Sequence, residues 1–233
     1  MFELIEDYPS QDEALALLRE HGIIKDDPDL QRTEEWFKRR IGKVTGSRVK
    51  DALSKLKNGS RSKAAKTLIG KIVAERLTNV SADGDISNLR AVQHGIITEK
   101  LAVAAFEKAT GKKVQLVAFV DHPDIEWCGA SPDGLVDDDA ILEIKCPNSA
   151  THIEYLKANC IPEEYEEQTL LQLASCKRTK RIFVSFDPRM PPANQLLIVE
   201  NVPDTALIKA LEAEVIEVLA EIEEDIKFLT KEK

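Results

Sequence analysis

The stretch SPDGLVDDDAILEIKCP, residues 131–147, predicts a short β-hairpin that decides the fold. Two strand-like runs, 135–136 and 140–142, flank three consecutive aspartates at 137–139, a polar tripeptide suited to a turn. If the aspartates form the loop, Asp133 falls opposite Glu143 and Ser131 falls opposite Lys145. Side chains alternate along a strand, so these four point to one face. Directly opposed Cβ atoms are about 4.5–5.5 Å apart, close enough for two carboxylates to share a divalent cation.

Each half of this pattern also has an ordinary structural explanation. Pro-Asp-Gly is a common turn tripeptide, and a glutamate and a lysine two residues apart are typical of a solvated strand face. The residues around them favour a different interpretation, because 141–146 is apolar on both faces except for Glu143 and Lys145. Such a strand predicts a buried sheet that contains a polar pocket.

Pro132-Asp133 followed by Glu143-Ile144-Lys145 resembles the PD-(D/E)xK nuclease signature. The resemblance extends to phage λ exonuclease and the related YqaJ-type viral recombination nucleases. The matching segments follow the family's order and cover roughly residues 33–200: WFKRRIGKVTGSRV (36–49), GIITE (95–99), ASPDGL (130–135), LEIKCP (142–147), YEEQ (165–168) and FDPRM (186–190).

The resemblance implies an α/β fold with a restriction-endonuclease-like core, in which helices flank a central mixed β-sheet. We therefore expect residues 1–233 to form a single nuclease domain. Its parts would be an N-terminal helical segment at 1–32, the nuclease core at 33–200 and a long C-terminal helix at 203–231.

The resemblance also assigns roles to individual residues. The expected metal ligands are Asp133, Glu143, the main-chain carbonyl of Ile144 and Glu99, and the expected catalytic residues are Lys145, Asp133, Glu143 and Gln168. The residues expected to bind a terminal 5′-phosphate are Arg40, Ser47 and Ser131, and Val92 takes the place of an apolar wedge that splits the end base pair. An arginine with two hydroxyl groups is chemically suited to a phosphate.

The chain departs from the family at the glutamines. The family commonly has a Gln-x-Gln pair, but here Gln168 is followed by Thr169 and Leu170. Another glutamine occurs only at Gln172. It lies four residues on, on the same helix face as Gln168, so partial compensation is expected.

The activity implied by the resemblance is Mg²⁺-dependent 5′→3′ exonucleolytic degradation of one strand of linear duplex DNA with a 5′-phosphorylated end. One or two ions per site would suffice, with Mn²⁺ as a substitute. The products would be 5′-mononucleotides and a 3′ overhang for a single-strand annealing protein, and the enzyme would be a homotrimeric ring. Two alternatives stay open: an endonuclease on the same core, restriction-like or junction-cutting, and a non-catalytic DNA-end-binding recombination scaffold.

Composition sets further limits on the class of protein. A chain of 233 residues can bury a full core, and no apolar run approaches the ~18 residues of a membrane span. The acidic N-terminus is unlike a signal peptide, so we expect a cytoplasmic protein of a bacterial host cell and no membrane partner. The four cysteines show no CxxC spacing, which favours reduced, mostly buried thiols over a zinc site or disulfides.

Charge is unevenly distributed along the chain. The net charge is −9, whereas DNA-binding proteins usually carry a basic surface. Residues 32–66 are basic and could follow the DNA, although solvated helix faces would look the same. Their cations are Arg32, Lys38, Arg39, Arg40, Lys43, Arg48, Lys50, Lys55, Lys57, Arg61, Lys63 and Lys66.

The C-terminal segment 203–231 has apolar residues at spacings of three and four and acids largely outside that stripe. The pattern favours a helix packed along its own domain, and a subunit contact or a DNA-repelling outer surface is the alternative. Other predicted helices are near 12–20, 33–41, 47–56, 63–78, 89–109, 150–158 and 162–177. Predicted strands are near 113–120, 126–131, 134–136, 140–146, 181–186 and 195–200.

Overall fold

The computed structural model describes residue 31, residues 33–82 and residues 90–231, with the main chain alone for 90–97. The predicted helix at 12–20 and most of the predicted segment 1–32 lie outside the described residues. In chain order the helices are α1 (Glu34–Arg40), α2 (Gly46–Leu53), α3 (Lys63–Thr78), α4 (Arg90–Thr110), α5 (Ser149–Ala158), α6 (Glu166–Cys176) and α7 (Thr205–Thr230). The strands are β1 (Val44–Thr45), β2 (Val114–Gln115), β3 (Val120–Asp121), β4 (Cys128–Ala130), β5 (Gly134–Val136), β6 (Ala140–Lys145), β7 (Lys180–Phe186) and β8 (Leu196–Asn201).

The strands form two sheets, and the larger one carries the hairpin predicted from residues 131–147. A five-stranded mixed sheet has the order β2-β5-β6-β7-β8, and a three-stranded sheet has the order β1-β4-β3. Val136 pairs with Ala140 and Gly134 pairs with Leu142, so the predicted hairpin register is confirmed. β6 then runs parallel to β7, which places it in the interior of the sheet.

Local sequence signals account for the helix starts. Side-chain oxygens of Thr33, Ser62, Asn148 and Asp204 accept main-chain N–H groups in the first turns of α1, α3, α5 and α7. These are the residue types that best satisfy the unpaired donors at a helix N-terminus. The predicted helix 63–78 is confirmed at both ends.

Two apolar clusters hold the layers together. The first joins α2, α3 and α6 to α7, whose Val215, Val218 and Ile222 are fully buried. The C-terminal helix thus packs along its own domain, as its stripe predicts. The second cluster joins Ala102 and Phe106 of α4 to the underside of β6 and β7. The strand that carries Glu143 is therefore covered on both sides, and its first five residues are buried.

Two sequence predictions are wrong in detail, and one strand was missed. The single strand predicted near 113–120 is two short strands, because the chain crosses from one sheet to the other between β2 and β3. The strand β1 was not predicted, since two residues between glycines give no periodic signal. The four cysteines are free, but only Cys128 is fully buried and Cys160 is exposed.

None of the described helices combines the length and the apolar character that a membrane span needs.

Candidate active site

The end of the hairpin brings Asp133 to β6. The regular ladder stops at Gly134 opposite Leu142, and the Asp133 N–H donates to the Leu142 carbonyl at 2.9 Å. In a continued ladder Pro132 would face Ile144, but proline has no N–H to donate to the Ile144 carbonyl. The Ile144 N–H donates to the Asp133 carboxylate at 2.6 Å, and the Pro132 carbonyl accepts from Gln31. The predicted ladder pairs of Asp133 with Glu143 and of Ser131 with Lys145 therefore do not form, yet Asp133 is fixed against the same strand.

Glu143 is the most heavily bonded carboxylate of the site. It is 1 % exposed, and its Oε1 accepts from Gln168 Nε2 at 2.6 Å and lies 2.5 Å from Lys145 Nζ. Its Oε2 accepts from Gln172 Nε2, also at 2.6 Å. The two glutamines lie one turn apart on α6, so both amides reach one carboxylate. Gln172 thus occupies the position that its spacing from Gln168 suggests, and it is fully buried there.

The electrostatics of the pair favour a bound cation. Burial, together with the neighbouring charges of Glu143 and Glu99, raises the pKa of Asp133 well above its usual range. A buried cluster of like charges is unfavourable unless a counter-ion is present. Carboxylate oxygens are the ligands that Mg²⁺ prefers, so the donor set fits a hard divalent ion.

The negative charge of Glu99 acts on Asp133. It raises the pKa of Asp133 and contributes, after burial, to raising the pKa of Cys146 to about 12. Within the described parts of the chain, no three acid, histidine or cysteine side chains are grouped closely enough to form a metal centre. The neighbouring charges that act on Asp133 are, in order of size, those of Glu143, Glu99 and Lys145.

Lys145 completes the acidic site. Burial alone would lower its pKa, but the carboxylates of Glu143 and Asp133 outweigh burial and hold the pKa above its ordinary value. The ammonium lies over the ring of Tyr165, 4.7 Å from the centroid, which further favours its charged form. Lys145 is therefore a protonated donor that retains partial access to solvent, with 27 % of its side chain exposed.

A second cluster, of one arginine and several hydroxyl groups, lies beside the acids. Arg40 donates to Ser47 Oγ at 2.9 Å and to Ser131 Oγ at 3.4 Å, so the structure brings these three predicted residues together. The Arg40 guanidinium also stacks on Trp36 at 4.1 Å, and Trp36 Nε1 donates to Ser131 Oγ at 2.9 Å. Gln172 spans both clusters, because its amide also lies 3.4 Å from the Ser131 carbonyl.

The turn after Arg40 is held by two consecutive residues of α3. Glu75 accepts the Gly42 N–H at 2.8 Å, and Arg76 Nε donates to the Gly42 carbonyl at 2.9 Å. Gly42 has φ +72°, and an added Cβ would lie 2.7 Å from the Arg76 side chain. Only glycine fits this backbone without strain. The clamp fixes the direction in which the chain leaves α1, and with it the position of Arg40.

We expect Glu75→Gln to lower the free energy of unfolding by about 3 kcal/mol at neutral pH, because it leaves Arg48 in a largely buried site without its bidentate partner. Burial would raise the pKa of Glu75, but hydrogen bonds from Arg48, Gly42 and Ala82 hold it below its ordinary value. Such a carboxylate stabilises the fold above its unfolded-state pKa, and that contribution is lost as pH falls through the folded-state pKa.

Urea unfolding near neutral pH and in acid would measure this difference. The loss caused by Glu75→Gln should shrink in acid, and the exposed Glu35→Gln is the matched control. An equal loss at both pH values would contradict the ion-pair explanation.

Sequence reasoning missed some residues of the site. Trp36 and Tyr165 lie inside the quoted segments, but their stacking on Arg40 and Lys145 depends on contacts that no spacing predicts. Gln31 was also missed, and its side-chain amide donates to the Pro132 carbonyl at 2.7 Å. Val92 lies in α4, but its side chain is outside the described residues, so its role as a wedge stays a prediction.

The mixed sheet with paired carboxylates and a lysine at the end of a hairpin defines a restriction-endonuclease-like α/β protein. The profile of the YqaJ-like viral recombinase domain matches residues 35–179. The chain belongs to this family, which confirms the resemblance drawn from the sequence.

Solved structures extend the similarity to most of the chain. An alkaline exonuclease, LHK-Exo from Laribacter hongkongensis, is 38% identical with a TM-score of 0.76, and the alignment covers 84% of this chain and 96% of that one. LHK-Exo in complex with dAMP matches at 39% identity and a TM-score of 0.77 over the same shares. A phage-related exonuclease from Haemophilus somnus 129PT shares the fold, with 15% identity, a TM-score of 0.60 and coverage of 81% and 96%. A comparison with curated proteins gives no match.

Proposed function

We propose that this protein is a Mg²⁺-dependent 5′→3′ exonuclease that degrades one strand of linear duplex DNA and leaves a 3′ overhang for recombination. The observation that carries the proposal is the position of the Arg40 cluster next to the acidic site. Ser131 lies two residues before Asp133, and Gln172 contacts both Glu143 and the Ser131 main chain. A pocket for a terminal phosphate beside a hydrolytic site suits an enzyme that acts on ends.

The metal ion would be held by Asp133, Glu143 and the main-chain carbonyl of Ile144, with Glu99 completing the site directly or through water. When bound, one or two Mg²⁺ ions would activate water and stabilise negative charge on the phosphate, and Mn²⁺ would substitute. The raised pKa of Asp133 supports this assignment, because a cation would relieve the repulsion that raises it.

The protein's own residues would orient the reacting groups. Protonated Lys145 can donate to the attacking water or to a phosphate oxygen and can offset the charge that develops there. Gln168 and Gln172 hold both oxygens of Glu143, so the carboxylate keeps one orientation during turnover. Arg40, with Ser47 and Ser131, would bind the 5′-phosphate that defines the end of the strand.

The similar solved structures support an exonuclease activity. LHK-Exo is an alkaline exonuclease, and one of its structures contains dAMP, a deoxynucleoside monophosphate of the kind that exonucleolytic cleavage would release. A homotrimeric ring around DNA and a single-strand annealing protein as partner complete the proposal.

The test is digestion of linear duplex DNA in Mg²⁺, with label at either terminus and with or without a 5′-phosphate. We expect 5′-phosphorylated mononucleotides to be released from the 5′ end, and a covalently closed circle to stay intact. Cleavage of the circle would favour the endonuclease alternative. Tight binding to ends without cleavage would favour the non-catalytic scaffold.

A further inference from the structure

Most cations near the Arg40 cluster are matched by acids of the same chain. The ion pairs are Lys38 with Glu34, Arg39 and Lys43 with Asp121, Arg48 with Glu75, Lys55 with Glu214, Arg61 with Glu221, and Arg76 with Glu223. Much of the basic stretch at 32–66 is therefore neutralised, and two of its cations, Lys55 and Arg61, pair with acids of the C-terminal helix. The net positive charge available to a ligand is confined to fewer residues than the sequence indicates.

Three lysines on α2 and α3 differ from these. Lys50, Lys63 and Lys66 are exposed, and none of them forms an ion pair with any residue in the described part of the chain. Because the molecule carries a net charge of −9, an unneutralised group of cations on one surface is unusual. Such a group marks a surface for a polyanion.

One groove and helix spacing relate the three lysines, because Lys50 precedes the groove residue Asp51 and Lys66 lies three residues after the groove residue Lys63. Ser47, Lys50 and Asp51 lie on the exposed side of α2, within about one turn of each other. Asp51 also lines an open groove with Lys63 and Lys71 of α3, together with Ala64, Thr67 and Leu68. We call Lys50, Lys63, Lys66 and Lys71 the α2–α3 basic face. It begins one helical turn from Ser47, a member of the Arg40 cluster, and Asp51 is the acid among the described residues that line the groove.

An exposed glycine on α3 leaves room for a close approach. Gly70 lies in the middle of α3 and is exposed, and a Cβ added there would meet no atom within 4 Å. Glycine in a helix interior lowers stability relative to alanine, and no contact among the described residues requires it. Its lack of a side chain leaves a flat site between Lys66 and Lys71, where an external backbone can lie against the helix.

We propose that the α2–α3 basic face binds the sugar–phosphate backbone of the duplex beyond the terminal nucleotide. This inference rests on the proposed function, since it continues the path of the DNA from Arg40. Each strand presents one phosphate about every 3.4 Å along the duplex axis, so lysines spaced by a helical turn can each meet one. Lysine contacts to phosphate carry no sequence information, which suits an enzyme that degrades any sequence.

A second copy of the chain is the competing occupant, because α7 is strongly acidic. Its Glu214, Glu221 and Glu223 are already paired with Lys55, Arg61 and Arg76 of their own chain. Those pairs would have to break before α7 could neutralise the basic face of a neighbour. Binding of DNA displaces only mobile counterions from its phosphates, so DNA is the favoured partner.

The test compares the full-length triple variant Lys50→Gln/Lys63→Gln/Lys66→Gln with a control, Lys108→Gln/Lys157→Gln/Lys209→Gln, that loses three exposed lysines elsewhere. Binding to a blunt 5′-phosphorylated duplex of several helical turns is measured at a series of salt concentrations in Ca²⁺. Each lost phosphate contact lowers the slope of log Kd against log salt by about 0.9, so the triple variant should lose about 2–3 from that slope. The control should keep the slope of the unmodified protein.

A neutral variant checks the role of Gly70. Gly70→Gln should weaken duplex binding at unchanged net charge while leaving the melting temperature equal or higher, because the helix gains a better helix former. Unchanged binding by this variant would overturn the close approach at Gly70.

Other outcomes separate the inference from the proposed function. If the unmodified protein degrades DNA from 5′ ends but the triple variant keeps the full salt slope, the inference fails and the proposed function stands. If the triple variant changes the oligomeric state and keeps the slope, the basic face is a subunit contact. If the unmodified protein neither binds nor cleaves DNA ends, both fail.

Discussion

Lys145→Ala is expected to slow hydrolysis by about 10²–10⁴-fold and to leave DNA-end binding within a few-fold of the unmodified protein. The reason is the position of the ammonium, 2.5 Å from Glu143 and held in its protonated form by the surrounding acids. Its removal takes away the positive charge nearest to the carboxylates. In the described part of the chain Lys145 contacts Glu143 and Tyr165, whereas Arg40 contacts Trp36, Ser47 and Ser131. Recognition of the end should therefore survive. Single-turnover cleavage measures the rate, and binding in Ca²⁺ measures the affinity.

Lys112→Ala is the matched control for this prediction. Lys112 pairs with Asp137 at the loop of the same hairpin, at 2.9 Å, but at the opposite end from the acids. Its loss should leave the cleavage rate within about twofold, because partly exposed ion pairs contribute little. Full activity in Lys145→Ala would show that the chemistry does not use this site.

The hairpin could be predicted from the sequence because two local rules agree. Three aspartates suit only a turn, and alternation then fixes which residues of the two strands face each other. The register followed as predicted up to Gly134. It failed at Asp133 because alternation treats every residue alike. Pro132 has no N–H for the ladder, and the Asp133 side chain, not the Pro132 carbonyl, accepts the Ile144 N–H.

The contacts around Glu143 could not be predicted, because they come from packing between segments that are far apart in the sequence. Gln172 could be placed on the face of Gln168 from helix periodicity, but not against Glu143, which lies on a strand 29 residues earlier. The basic stretch shows the same limit. Its cations looked available in the sequence, yet Lys55 and Arg61 pair with Glu214 and Glu221, which lie about 160 residues away on the C-terminal helix. Charge counted along a chain does not indicate which cations remain free in the fold.

Arg40→Ala is the second large expected effect, and it should appear in the preference for a 5′-phosphate. We expect the ratio of cleavage rates on 5′-phosphorylated and 5′-hydroxyl duplexes to fall by about 10–100-fold. A charged hydrogen bond contributes about 1.5–3 kcal/mol, and each 1.4 kcal/mol is a factor of ten. Cleavage of the 5′-hydroxyl duplex should change little, because the acids and Lys145 are untouched. The two substrates are compared at subsaturating concentration, so that binding and chemistry both contribute.

The neighbouring arginine separates this role from a general effect of charge. Arg39→Ala removes the same charge one residue earlier on α1, but Arg39 pairs with Asp121 at 2.9 Å and points away from Ser47 and Ser131. Its rates on both substrates should fall together, if at all, and their ratio should stay constant. If Arg40→Ala also kept the ratio, the hydroxyl cluster would be a structural brace for the turn at Gly42. End recognition would then have to come from a different surface. If the ratio of cleavage rates falls in Arg40→Ala but not in Arg39→Ala, the 5′→3′ direction of degradation depends on the guanidinium of Arg40. The clamp formed by Glu75 and Arg76 holds that guanidinium in place.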